Sequence, residues 1–66
     1  MDYMFKAYNE NTKELRHLTT TTSTTKEEFV KHNYTMCKDM LNDGEKLLLC
    51  KLGRISEGVK IIGVME

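Results

Sequence analysis

Thr25-Lys26-Glu27-Glu28-Phe29-Val30-Lys31-His32-Asn33-Tyr34-Thr35-Met36-Cys37-Lys38-Asp39-Met40-Leu41-Asn42-Asp43-Gly44 is the only long periodic stretch in the chain. At 100° per residue, Phe29, Val30, Tyr34, Cys37, Met40 and Leu41 fall within an arc of about 140°, with Met36 on its flank. Lys31, His32, Thr35, Lys38, Asp39 and Asn42 lie largely outside that arc. Thr25-Lys26-Glu27-Glu28 has the form of a capping box, in which the threonine hydroxyl takes the N–H three residues on. Glu27 and Glu28 also suit the positive end of the helix dipole. Asn42-Asp43-Gly44 supplies a stop, with Gly44 fitted to a left-handed C′ position. The stretch predicts an amphipathic helix of about four turns with one core-facing side.

The segments on either side read as strands. Tyr3 to Asn9 alternates, with Tyr3, Phe5 and Ala7 on one side and Met4, Lys6 and Tyr8 on the other. The turn-forming cluster Asn9-Glu10-Asn11-Thr12 separates it from a second extended run, Lys13 to Thr22, so the two predict an antiparallel hairpin. The tract from Thr19 to Thr25 reads as a threonine-rich strand end leading into the helix cap rather than as a modification site. After the helix, Glu45 to Leu52 carries Leu47-Leu48-Leu49-Cys50, a run that suggests a strand covered on both faces. Ser56-Glu57-Gly58 looks like a turn, Gly53 like a bulge or twist, and Val59 to Met65 closes with a second apolar run. The expected fold class is α+β, ordered β-β-α-β-β. It is a four-stranded, mainly antiparallel sheet with the helix on one face, and residues 1–66 form a single small domain.

Sixty-six residues set limits. A chain of this size buries only about 60% of the surface its unfolded form exposes, so a disulfide, a metal or self-association usually assists it. Ten basic and ten acidic residues cancel, which argues against a strongly basic nucleic-acid binder and against an acidic mimic of one. Two cysteines do not make a disulfide framework. With no apolar run long enough to span a bilayer and no signal-peptide pattern, the chain reads as a complete cytoplasmic product with reduced thiols and no membrane contact.

Apolar surface is in excess. If Tyr3, Phe5, Ala7, Leu15, His17, Leu48, Cys50, Leu52, Val59 and Ile61 face the helix, the other face carries Met4, Tyr8, Leu18, Leu47, Leu49, Ile62 and Val64. Those seven are the candidate oligomer interface, because a contiguous apolar patch without intrachain cover usually marks one. Burial contributes roughly 25 cal/mol per Å², which a small domain needs. A symmetric homodimer, by sheet-face packing or edge-strand pairing, is the favoured assembly. Swapping the register of the last two strands leaves that surplus in place.

No catalytic or metal-binding set emerges. His32 and Cys37 are five apart on a helix and diverge by about 140°, and no C-x-x-C or H-x-x-x-H occurs. Cys37 and Cys50 sit in apolar stretches, where burial disfavours the thiolate that a nucleophile needs; the two are expected to pack near each other. Gly44, Gly53, Gly58 and Gly63 do not form a phosphate loop. The expectation is no cofactor, no metal and no enzymatic activity. Lys6, Arg16, Lys51 and Lys60 are placed together on the outer sheet face and are the candidates for nucleic-acid or anion binding by charge and stacking. The leading expectation is a non-enzymatic interaction protein that binds another protein as a homo-oligomer, in the manner of a phage or mobile-element inhibitor or regulator of a host protein. The alternatives are a weak nucleic-acid-binding module on the basic face, and a small-ligand-binding or sequestering protein with its site at a subunit interface.

Overall fold

A strand with an unbroken apolar run has to be buried on both sides there, and the chain meets that requirement by placing the strand that carries Leu47-Leu48-Leu49-Cys50 in the middle of its sheet. The computed structural model describes residues 1–53 and 58–65. Strands β1 (Asp2–Asn9), β2 (Leu15–Thr21), β3 (Glu45–Leu52) and β4 (Val59–Met65) form one antiparallel sheet in the order β2-β1-β3-β4, and helix α1 spans Lys26–Asp39. The order β-β-α-β-β and the α+β class are as the sequence predicts. Among the described residues, no helix is long and apolar enough to cross a membrane. The expected turn at Ser56 and Glu57 lies outside the described residues; at its stem the Gly53 N–H donates to the Gly58 carbonyl at 2.9 Å.

The helix starts where its cap does. Thr25 is extended (φ −88°, ψ 160°) and its hydroxyl accepts the Glu28 N–H at 3.2 Å, with Glu27 and Glu28 in the first turn. It ends earlier than the Asn42-Asp43-Gly44 stop predicts, at Asp39 with Met40 as a right-handed cap whose N–H still bonds the Met36 and Cys37 carbonyls. Gly44 is left-handed (φ +84°) but serves the next element instead. The Glu45 N–H donates to the Asn42 carbonyl at 3.1 Å, closing a tight turn that feeds β3.

Phe29 anchors the helix to the sheet. Its ring lies 4.8 Å from that of Phe5 and 6.0 Å from that of Tyr3, centroid to centroid. Around it Tyr3, Phe5, Cys37, Leu47 and Leu49 form the buried core, with Leu18, Val30, Tyr34, Leu41 and Met65 packed at its edge. Met40, assigned to the apolar arc by periodicity, is exposed. A second cluster, Met4, Leu48 and Cys50 with Tyr8 and Leu52 beside it, occupies the opposite side of the sheet.

Two bulges decide which residues reach which side. Phe5 pairs with Thr19 but Lys6 with His17, leaving Leu18 as an extra residue on β2. Leu49 pairs with Gly63 but Cys50 with Ile61, leaving Ile62 as an extra residue on β4. Each insertion inverts the alternation for the rest of its strand. The sides expected for β1 hold, but those of β3 are reversed: Leu47 and Leu49 face the helix, while Leu48, Cys50 and Leu52 do not. Cys37 and Cys50 consequently fall in different clusters, on opposite sides of the sheet, rather than next to each other.

The cap and the anchor should be separable in urea denaturation. Thr25→Ala is expected to cost about 1 kcal/mol, the worth of one N-cap hydroxyl. Phe29→Ala is expected to cost about 3–5 kcal/mol because the ring leaves a cavity between the helix and Phe5.

Candidate functional site

Cross-strand partners share a side of the sheet, so the register lays out the face that the helix leaves open. Lys6 pairs with Leu48 and with His17, Tyr8 with Lys46 and with Leu15, Cys50 with Ile61, Leu48 with Val64, and Leu52 with Val59. The open face thus carries apolar residues from all four strands, with Lys6, His17 and Lys46 among them. The two central strands supply its buried floor, Met4, Leu48 and Cys50, which the flanking side chains cover without a helix. The outer strands supply its uncovered part: Leu15 is 49% exposed, Val59 48%, Ile61 57% and Val64 53%. A cleft of about 440 Å³ runs between them, lined by Tyr8, Leu15, Leu48, Ile61 and Val64, with the Glu10–Lys46 ion pair (2.6 Å) at its rim. Lys46 holds Glu10 below the usual carboxylate range, first through that hydrogen bond and then through its charge.

The seven candidate interface residues are divided by the structure. Met4, Tyr8 and Val64 lie on the open face, and Ile62 is exposed at the β4 bulge. Leu18, Leu47 and Leu49 lie under the helix, and the last two are fully buried. Leu15, Leu52, Val59 and Ile61 take their place, residues that strict alternation assigns to the helix side. The signal that could have found them is weak, because both alternations of β3 and β4 are apolar and neither bulge has a proline or a glycine at the inserted position.

The four candidate cations do not converge either. Lys6 is on the open face. Arg16 pairs with Ala7 on the helix side and bonds across to the β3 entry: Nη2 donates to Glu45 Oε1 at 2.8 Å and to the Met40 carbonyl at 2.9 Å, and Nε donates to Glu45 Oε2 at 3.3 Å. A planar guanidinium that satisfies a carboxylate in two places while taking the carbonyl of a helix's C-cap residue is structural in its use. Glu45 is held below the usual carboxylate range by the Arg16 hydrogen bond first and by the Asn42 N–H (2.6 Å) second. Lys51 and Lys60 pair with each other, on the helix side.

The thiol and imidazole groups are also dispersed. Cys37 and Cys50 are free and buried, and burial pushes both thiols up; at Cys50 the Lys6 charge opposes that shift in part. Such thiols are poor nucleophiles at neutral pH. His17 on the open face bonds the Thr20 hydroxyl, and His32 is exposed on the helix. Among the described residues no group of three or more His, Cys, Asp or Glu side chains is placed to hold a metal ion. No protein-family model matches this chain, and no curated protein or solved structure matches it.

The Arg16–Glu45 contact makes a prediction about pH. Glu45 is depressed in the folded state relative to its ordinary value of 4.5, so its contribution is complete above that value and disappears as the pH falls through the lower folded-state value. The urea midpoint of the native chain is expected to drop on acidification below about pH 4.5, and that of Glu45→Gln to start lower and fall less steeply over the same window. Parallel curves for the two proteins would remove Glu45 from the account.

Proposed function

We propose that this chain is a non-enzymatic interaction protein that works as a homodimer, two copies meeting through the open sheet face, and that the dimer acts by binding another protein. One observation carries the reading: Leu15, Val59, Ile61 and Val64 stand about half exposed around a buried apolar floor on a face without a helix. A patch of that kind is normally covered by a partner.

Size supports a second copy as the cover. The molecule measures 31 × 26 × 15 Å between Cα extremes, so its broad face is on the order of the 800 Å² per partner that a standard interface buries. Two such faces related by a two-fold axis would set the apolar rows of β1 and β3 against each other and leave both helices outermost, a sheet-on-sheet arrangement with a spacing of about 10 Å. Burial on that scale offsets the limited core of a short chain.

Light scattering on a size-exclusion column across a dilution series checks this. The native chain is expected to run as a dimer that dissociates on dilution. Ile61→Lys and Val64→Lys should each weaken it by about 2 kcal/mol, roughly thirtyfold in dissociation constant, with an unchanged circular dichroism spectrum. Met36→Lys, at an exposed position on the helix, should leave it intact. A native chain that stays monomeric at every concentration overturns the homodimer.

A further inference from the structure

Lys51 and Lys60 are direct cross-strand partners in the β3–β4 ladder. Lys51 also faces Tyr3, which belongs to the helix-side core, so both lysines stand on the side of the sheet away from the open face. In such a pair the Cβ atoms are about 4.5–5.5 Å apart, and like charges are destabilising. The chain has ten acidic residues to its ten basic ones, yet among the described residues neither ammonium has an ion-pair or hydrogen-bond partner. Glu10 and Glu45 are engaged elsewhere, by Lys46 and Arg16.

Among the described residues, the space around the two lysines is open. Gly53 and Gly58 follow and precede them at the hairpin stem, and Gly63 is the next position of β4 on the same side, opposite Leu49. Among the described residues, a Cβ placed on Gly58 or Gly63 would meet nothing within 4 Å. The result is a cleft of about 380 Å³ lined by Lys51, Gly53, Gly58, Val59 and Lys60. Two repelling cations beside a cleft whose described lining is otherwise two glycines and Val59 form a receptor for a compact anion.

We propose that this cleft binds a phosphate group, as free phosphate or as a phosphate monoester, held between the Lys51 and Lys60 ammoniums. A phosphate near neutral pH carries about −1.5 to −2 charge, which matches two lysines, whereas a single carboxylate would leave part of their repulsion in place. Lysine binds phosphate as a point charge on a flexible stem, so no fixed fork geometry is needed. Bound phosphate converts the cross-strand repulsion into two attractions and stabilises the β3–β4 hairpin through linkage. Lys51 and Lys60 stand on the other side of the sheet from the homodimer face, and Val59 lines both the cleft and that face.

Lysine side-chain NMR tests it on the whole chain at about pH 8, with sodium phosphate titrated against sodium chloride of equal ionic strength. The Lys51 and Lys60 signals are expected to move saturably while those of the other lysines stay still. Lys51→Gln or Lys60→Gln should weaken the binding about tenfold, and neither should lower the thermal midpoint in phosphate-free buffer, since each removes a repulsion. Adenosine 5′-monophosphate, run beside adenosine, distinguishes the source. Movement with the monophosphate but not with free phosphate assigns the site to monoesters, and movement with both assigns it to the phosphate group alone. Movement shared by all lysines without saturation, an unchanged response in the two variants, or an equal response to adenosine overturns the site.

Discussion

The pairing of β1 with β3 is the constraint from which the rest of the molecule follows. It runs from Asp2 opposite Leu52 to Asn9 opposite Glu45 without a break in register. Because it is regular, it sorts its side chains cleanly: Tyr3, Phe5, Leu47 and Leu49 to the helix, and Met4, Leu48 and Cys50 to the other side. Phe29 can dock only where Phe5 and Tyr3 present their rings. The helix axis, the Arg16 contact at the C-terminal end and the position of the open face all depend on that docking. A shift of this ladder by one residue would invert β3 relative to β1 and take Leu47 and Leu49 away from the side where Phe29 meets Phe5 and Tyr3.

Regularity in the centre is matched by irregularity at the edges. Both outer strands carry one bulge, at Leu18 in β2 and at Ile62 in β4. Edge strands with an unbroken ladder are templates for uncontrolled pairing, and a bulge twists such an edge away. On β2 the device is reinforced by threonines and by Arg16 and His17. On β4 it has only Lys60 to help it, and the strand remains exposed and apolar on its open side. The two edges are therefore protected to different degrees, and the less protected one borders the face proposed for self-association.

Element order, strand bounds after the helix and the Thr25 cap were all legible from residue types, because each rests on local chemistry. Glu45 to Leu52 and Val59 to Met65 needed only their apolar runs and the intervening glycines. Side assignment was legible in β1, where aromatic and polar residues alternate, but not in β3 or past the bulges of the outer strands. The run Leu47-Leu48-Leu49-Cys50 is apolar at both parities, so nothing in it chooses the helix side. At Leu18 and Ile62 the inserted residue resembles its neighbours, and a parity count passes through it unchecked. The cation set failed for the same reason: Arg16 and Lys6 were placed together by alternation, whereas Ala7, not Lys6, is the partner of Arg16. Long-range register is a tertiary property that strand composition does not carry.

The central pairing also governs how the chain can fold. β1 and β3 are separated by the whole of β2, the helix and their connections, so their ladder closes a long loop before it returns any stabilisation. The two sequence-local hairpins, β1–β2 and β3–β4, can form first, but each exposes one of the two halves of the core until the ladder joins them. Phe29 belongs to the intervening helix and its ring partners, Phe5 and Tyr3, belong to β1. Docking the helix on the first hairpin therefore builds the surface that recruits the second. A topology of this kind places the folding barrier at a non-local step, and slower folding than that of a helical chain of equal length follows from the strand order itself.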